Sequence, residues 1–139
     1  MIYIGSMPRP TTSVTLPNQC SSYTTNNDST RNIASGPGSL CDNTLATGWY
    51  RFMGGAGKYL VTTYVSRDTC TTYYGGSYSG SLPSTVGATT YGTLCLNKDG
   101  YLCYAPWSGS VIGVTNCSDY YVYYLTPTTN CNSRYCTTT

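Results

Sequence analysis

Histidine and glutamate are absent from this 139-residue chain, and only 9% of its residues are charged. Without histidine there is no Ser-His-Asp or Cys-His triad, no imidazole general base and no histidine-bearing zinc site. The 5 acidic residues, all aspartate, stand against 7 Lys and Arg and leave a net charge of +2. That imbalance gives no footprint for nucleic acid or anionic lipid. No stretch approaches the ~20 apolar residues of a membrane-spanning helix, so no membrane span is expected. No Cys-x-x-Cys pair occurs, which removes the zinc-ribbon and thioredoxin readings. The N-terminal MIYIGSMPRP has neither the basic segment nor the apolar length of a secretory signal. The chain therefore reads as a mature fragment, a module cut from a longer protein, or an engineered piece of one.

What is present favours strands. There are 16 Tyr, 24 Thr and 15 Gly, with few strong helix formers. The length suits one domain. Eight cysteines are spread along it: Cys20, Cys41, Cys70, Cys95, Cys103, Cys117, Cys131 and Cys136. An even number in a polar chain implies four disulfides, hence an oxidising, secreted or extracellular setting. Counting alone leaves about 105 pairings open.

Residues 1–19 hold three prolines and no cysteine, and read as an arm or linker before a domain spanning 20–139. Within it Val14 and Leu16 fall on one face of an alternating run. The arm is either a flexible tail or a strand that pairs in trans with another chain or an adjacent domain. Residues 21–47 form a long polar loop pinned by Cys20 and Cys41. Gly48-Trp49-Tyr50-Arg51-Phe52 and Lys58 to Val65 read as two strands of a hairpin turning at Gly54-Gly55. The glycine-rich stretch 71–93 is the most loop-like inside the cysteine frame. Asp99-Gly100 marks a tight hairpin between 92–96 and 101–104, which places Cys95 within reach of Cys103. Ser110 to Val114 is a short strand. Tyr120 to Leu125 is apolar on both faces and belongs in the middle of a sheet. Thr137 to Thr139 read as the start of another linker.

Several of these features occur together in one known family. Trp49-Tyr50-Arg51-Phe52 is followed by Gly54-Gly55. Cys95 and Cys103 lie eight residues apart, and the tail runs Cys117, Tyr120-Tyr121-Val122-Tyr123, Cys131, Tyr135-Cys136-Thr137. Over about residues 20–137 the chain resembles the eight-cysteine domain of the uromodulin type. The resemblance implies the bridges Cys20–Cys117, Cys41–Cys131, Cys70–Cys136 and Cys95–Cys103. It also implies a non-catalytic module projecting from polymerising glycoproteins, in some members presenting a glycan that captures bacterial adhesins. The family's glycan-bearing asparagine falls on Tyr124 here, so that role does not carry over at that residue.

Two sequons remain, Asn27-Asp28-Ser29 in a polar loop and Asn116-Cys117-Ser118 beside an expected bridge. Tyr73, Tyr74 and then Tyr78 sit in a Gly/Ser loop. Tyr73 and Tyr74, with Trp107 in its Pro-Trp-Ser-Gly turn, are the candidate contact surface for a sugar or a partner, although tyrosines resting on half-buried sheet faces are the more ordinary arrangement. Trp49 belongs to the core. The aspartates, Asp28, Asp42, Asp68, Asp99 and Asp119, are scattered and show no EF-hand spacing. The sequence thus predicts a mainly β, disulfide-stapled small domain with long loops, no enzyme activity and no cofactor. Its expected role is a building block of a secreted fibre or matrix glycoprotein, contacting itself or neighbouring extracellular modules. The alternative is a carbohydrate-binding or glycan-displaying domain.

Overall fold

The structure, a computed structural model, describes residues 15–139. Among them are nine strands: β1 (Thr24–Asn26), β2 (Gly48–Phe52), β3 (Tyr59–Leu60), β4 (Tyr74–Ser79), β5 (Thr89–Leu96), β6 (Val111–Asn116), β7 (Tyr121–Leu125), β8 (Ser133–Tyr135) and β9 (Thr137–Thr138). Seven form one sheet in the order β1-β2-β7-β6-β5-β4-β8, and β3 pairs with β9. The inner pairs are antiparallel, whereas β1 joins β2, and β8 joins β4, in parallel.

Alternation decides which face is buried, because successive side chains of a strand point to opposite sides. Tyr50 and Phe52, Tyr123 and Leu125, Ile112 and Val114, and Leu94 and Leu96 are four such i, i+2 pairs. With Tyr78, Ala56, Leu60 and Tyr135 they make the main core. The reverse face carries a smaller cluster of Cys20, Cys117 and Val122, against which Tyr23, Trp49 and Tyr120 pack. β7 contributes to both clusters and lies between β2 and β6, the interior position its two apolar faces require. Trp49 is half-buried on the reverse face, its ring 5.4 Å from that of Tyr124.

Three sequence expectations fail here. The hairpin across Gly54-Gly55 does not form. β2 pairs with β1 and β7, and the following strand shrinks to Tyr59–Leu60 on β9. The reason is Gly54, at φ +57°, opening a 3-10 turn over Gly54–Ala56 that carries the chain out of the sheet. Residues 71–93 are not simply a loop, since they contain β4 and the start of β5. Gly75 and Gly76 are needed where the backbone is crowded: a Cβ on Gly75 would lie 2.5 Å from Val65, and one on Gly76 2.5 Å from Leu94. Nor are the last residues a linker, because Thr137 is buried and pairs with Leu60.

The four bridges are Cys20–Cys117, Cys41–Cys131, Cys70–Cys136 and Cys95–Cys103, the set the family resemblance implied. Three of them span 97, 90 and 66 residues and tie the first half of the chain to its last strands.

Candidate interaction surface and glycan sites

The Asp99-Gly100 turn is a tight one, with φ +45° and +92°. Lys98 and Tyr101 exchange backbone hydrogen bonds of 3.0 and 2.8 Å across it. The chain beyond does not extend as a strand. It folds back instead, the Tyr104 amide donating to the Leu96 carbonyl at 2.7 Å and the Cys103 amide to Asn97 Oδ1 at 3.2 Å. This bridged hairpin holds Tyr101 and Leu102 out in solvent, 67% and 68% exposed.

An aromatic platform stands behind it. The Tyr104 and Trp107 rings are 5.0 Å apart, and Trp107 and Tyr74 are 5.2 Å apart. Lys98 Nζ lies over Tyr104 at 4.9 Å and over Trp107 at 5.2 Å. The Arg67 guanidinium lies 5.6 Å from the Tyr73 ring and 5.4 Å from Tyr74, and donates to Asp99 at 3.3 Å. The fold therefore brings Tyr73, Tyr74 and Trp107 onto one surface from two separate segments. Lys98, Tyr101, Leu102 and Tyr104 complete it, four residues the sequence reading had treated only as a hairpin. Tyr78 does not belong, being 1% exposed with its hydroxyl donated to the Ser81 carbonyl at 3.0 Å. Its place on β4 faces the core, because β4 is a strand and not a loop. Arg67 thus engages one side of Tyr73 and Tyr74, and Lys98 one side of Tyr104 and Trp107, while among the described residues no cation lies over Tyr101.

The long loop is held by buried charge that the sequence reading missed. Arg31 forms a two-pronged pair with Asp42, both bonds 2.6 Å, with side chains only 6% and 4% exposed. Asp42 Oδ2 also accepts the Tyr135 amide at 2.8 Å, which locks the loop to β8. Arg134 of β8, equally buried, donates to Asp28 at 3.1 Å and to Thr30 at 2.8 Å. Burial opposes ionisation of Asp28. The hydrogen bonds from Thr30 and Arg134 outweigh it, and the carboxyl is held below its ordinary 3.8. On the reverse face the Arg51 guanidinium lies 3.7 Å over the Tyr120 ring and donates to the Tyr23 hydroxyl at 3.0 Å. Tyr120 in turn donates to the Cys20 carbonyl. The four aspartates Asp28, Asp42, Asp68 and Asp99 each lie against an arginine.

The two sequons differ in environment. Asn116 is engaged at both ends of its amide: Nδ2 donates to the Pro83 carbonyl at 3.0 Å, and Oδ1 accepts the Ser118 amide at 2.9 Å. Asn27 is exposed, in the turn after β1. Of the candidate trans-strand residues, Val14 lies outside the described residues, and Leu16 is exposed at 38%. A cleft of about 350 Å³ opens between the end of β2 and the β6–β7 turn, with Gly54, Lys58, Tyr59, Asp119, Tyr120 and Tyr121 in its lining.

A β-sheet cross-linked by four disulfides, with polar loops and an aromatic platform on its surface, is of the class of extracellular structural or interaction modules. The family model for the uromodulin-like eight-cysteine domain matches residues 50–137, and the chain belongs to that family. It is 34% identical, over 96% of its length, to the pancreatic secretory granule membrane major glycoprotein GP2 of Mus musculus, covering 25% of that protein. The counterpart from Rattus norvegicus is 36% identical over 85% of the chain and 22% of that protein. Uromodulin of Rattus norvegicus is 34% identical over 85% of the chain and 18% of that protein. The chain thus spans about a quarter or less of the curated relatives it matches.

Proposed function

We propose that this domain is a non-catalytic contact module, a building block of a secreted fibre or matrix glycoprotein that binds copies of itself or neighbouring extracellular modules. The observation that carries this reading is the bridged hairpin tip. Tyr101 and Leu102 are about two-thirds exposed, side by side, and backed by the tilted and edge-to-face cluster of Tyr104, Trp107 and Tyr74. Exposed aromatic and aliphatic side chains on a rigid support are the usual anchors of protein interfaces. That relatives of this chain include a major glycoprotein of the secretory granule membrane supports an extracellular setting. Sedimentation velocity over a rising protein concentration tests it. Association is expected for the natural chain and is expected to vanish in a Tyr101→Ser, Leu102→Ser double variant. A monomer throughout, or a variant that still associates, removes the hairpin from the contact.

The arm supplies a second contact. β1 ends the seven-stranded sheet, its Thr24 and Thr25 are exposed, and an edge of this kind accepts a strand from another chain. Deleting residues 1–19 should weaken assembly as seen by light scattering; unchanged assembly excludes the arm.

A second reading, glycan display, is favoured by one observation: Asn27 is exposed while Asn116 is tied down by two hydrogen bonds. It predicts a sugar chain at Asn27 in protein secreted from eukaryotic cells, read by intact mass, and its loss in Asn27→Gln.

A further inference from the structure

The segment that carries Asn27 does not hang free. The Asp28 amide donates to Asn26 Oδ1 at 3.0 Å, and the Asp28 carboxylate is clasped by Thr30 and Arg134, so the backbone at 26–30 is pinned on one side. On its other side it lies against the Gly54-Gly55 pair. A Cβ placed on Gly54 would sit 3.5 Å from the Asn27 Cβ, and one placed on Gly55 2.7 Å from the Ser29 Cβ. Gly54 lines the 350 Å³ cleft. The sequon asparagine therefore stands at the lip of that cleft, on a backbone whose direction is fixed.

The cleft has the chemistry of a neutral sugar site. Tyr59 and Tyr121 form its aromatic wall, with ring centroids 6.1 Å apart, and Tyr59 is 39% exposed. A saccharide has apolar C–H faces and hydroxyl edges, so it wants an aromatic surface flanked by a few polar groups. Lys58, Ser118 and Asp119 supply those groups. Lys58 and Asp119 are of opposite sign, and the remaining cation, Arg51, is engaged by the Tyr120 ring and the Tyr23 hydroxyl, so the lining keeps one net positive charge whose guanidinium is already occupied rather than a cluster of free cations for a phosphate or sulfate. Its volume is at the small end of ligand clefts, which run about 300–1,000 Å³.

We propose that this cleft seats the protein-proximal N-acetylglucosamine residues of the sugar chain on Asn27, folded back over Tyr59 and Tyr121. Tethering makes weak contacts sufficient, because a sugar linked a few bonds away is present at an effective concentration on the order of millimolar. The glycan would then be fixed at its base and would project from the β2 and β6–β7 end of the sheet in one direction. This inference rests on the glycan-display reading of Asn27.

The test uses the chain secreted from eukaryotic cells, before and after enzymatic release of its N-glycan, with intact mass recorded on both. Hydroxyl-radical labelling then reads the reactivity of Tyr59 relative to Tyr101, which does not line the cleft. A Tyr59 rate at least threefold lower with the glycan in place is the expected result. Equal rates on a chain whose mass shows an Asn27 glycan overturn the docking and leave the display reading standing. A mass without a glycan at Asn27 overturns both. If free N,N′-diacetylchitobiose protects Tyr59 on the released protein while the attached chain does not, the cleft serves outside sugars and the proposal is overturned.

Discussion

Asp42 joins the long loop to β8 through one carboxylate. It is paired to Arg31 within the long loop, and it accepts the Tyr135 amide of β8, where it is 3% exposed. Removing one partner of a buried pair leaves the other charge uncompensated, which costs about 3–5 kcal/mol. Asp42→Asn is therefore expected to lower the unfolding free energy by about that amount, with the midpoint in a urea melt shifted accordingly. A change below about 1 kcal/mol would show the pair to be idle. Asp28 adds a pH dependence. Its folded-state carboxyl titrates below the ordinary value, so its contribution is complete above the unfolded pKa and is lost as pH falls through the folded one. Acid should loosen the 26–31 turn first, below about pH 4. Amide exchange at Thr30 and Arg31 is the measurement, and in Asp28→Asn those amides should lose that acid step. Neither pair was legible in the sequence. Their partners are 11 and 106 residues apart, and no local spacing announces such contacts.

Strands and turns were readable where local rules govern them. Asp99-Gly100 announced its turn because two successive positive φ values favour that dipeptide. The 121–125 strand was readable as interior because both its faces are apolar. The rules misled where tertiary crowding chose the residue. β4 reads as loop from its Gly75-Gly76, yet those glycines are there because Val65, Leu94 and the Cys70–Cys136 bridge leave no room for a side chain. Gly76→Ala is expected to cost about 1–3 kcal/mol through overpacking against Leu94, and to raise exchange rates at the β4–β5 register Gly76 to Ser79. Gly36→Ala is the control, since nothing lies within 4 Å of a Cβ there, and its melt should match that of the natural chain. The aromatic platform was half legible. Tyr73, Tyr74 and Trp107 were named, although Tyr74 opens β4 and Trp107 is half-buried against the main core, and their meeting depends on the Cys95–Cys103 fold-back, which sets Tyr104 between Trp107 and the hairpin tip.

At the scale of the whole molecule the question is what closes the structure. Both ends of the main sheet are short strands paired in parallel, and the loop over β8 is held by charge and by covalent links more than by apolar contact. Cross-links stabilise chiefly by restricting the unfolded chain, and the effect grows with the loop closed. On that scale the bridges spanning 97, 90 and 66 residues contribute about 4–5 kcal/mol each, and the eight-residue one about 2.5 kcal/mol. Summed, the three long bridges reach about 12–15 kcal/mol, the upper part of the ~5–15 kcal/mol by which domains are stable at all. Two experiments follow from that comparison. A Cys95→Ser, Cys103→Ser variant should stay folded, with a modestly lower melting temperature and a loosened hairpin. Reduction of all four bridges should abolish the near-ultraviolet circular dichroism of the buried Tyr50, Tyr78, Tyr123 and Tyr135 at room temperature. A fully reduced chain that kept that signal would mean the core of Leu94, Leu96, Ile112 and Val114 sustains the sheet alone, with the cross-links secondary to it.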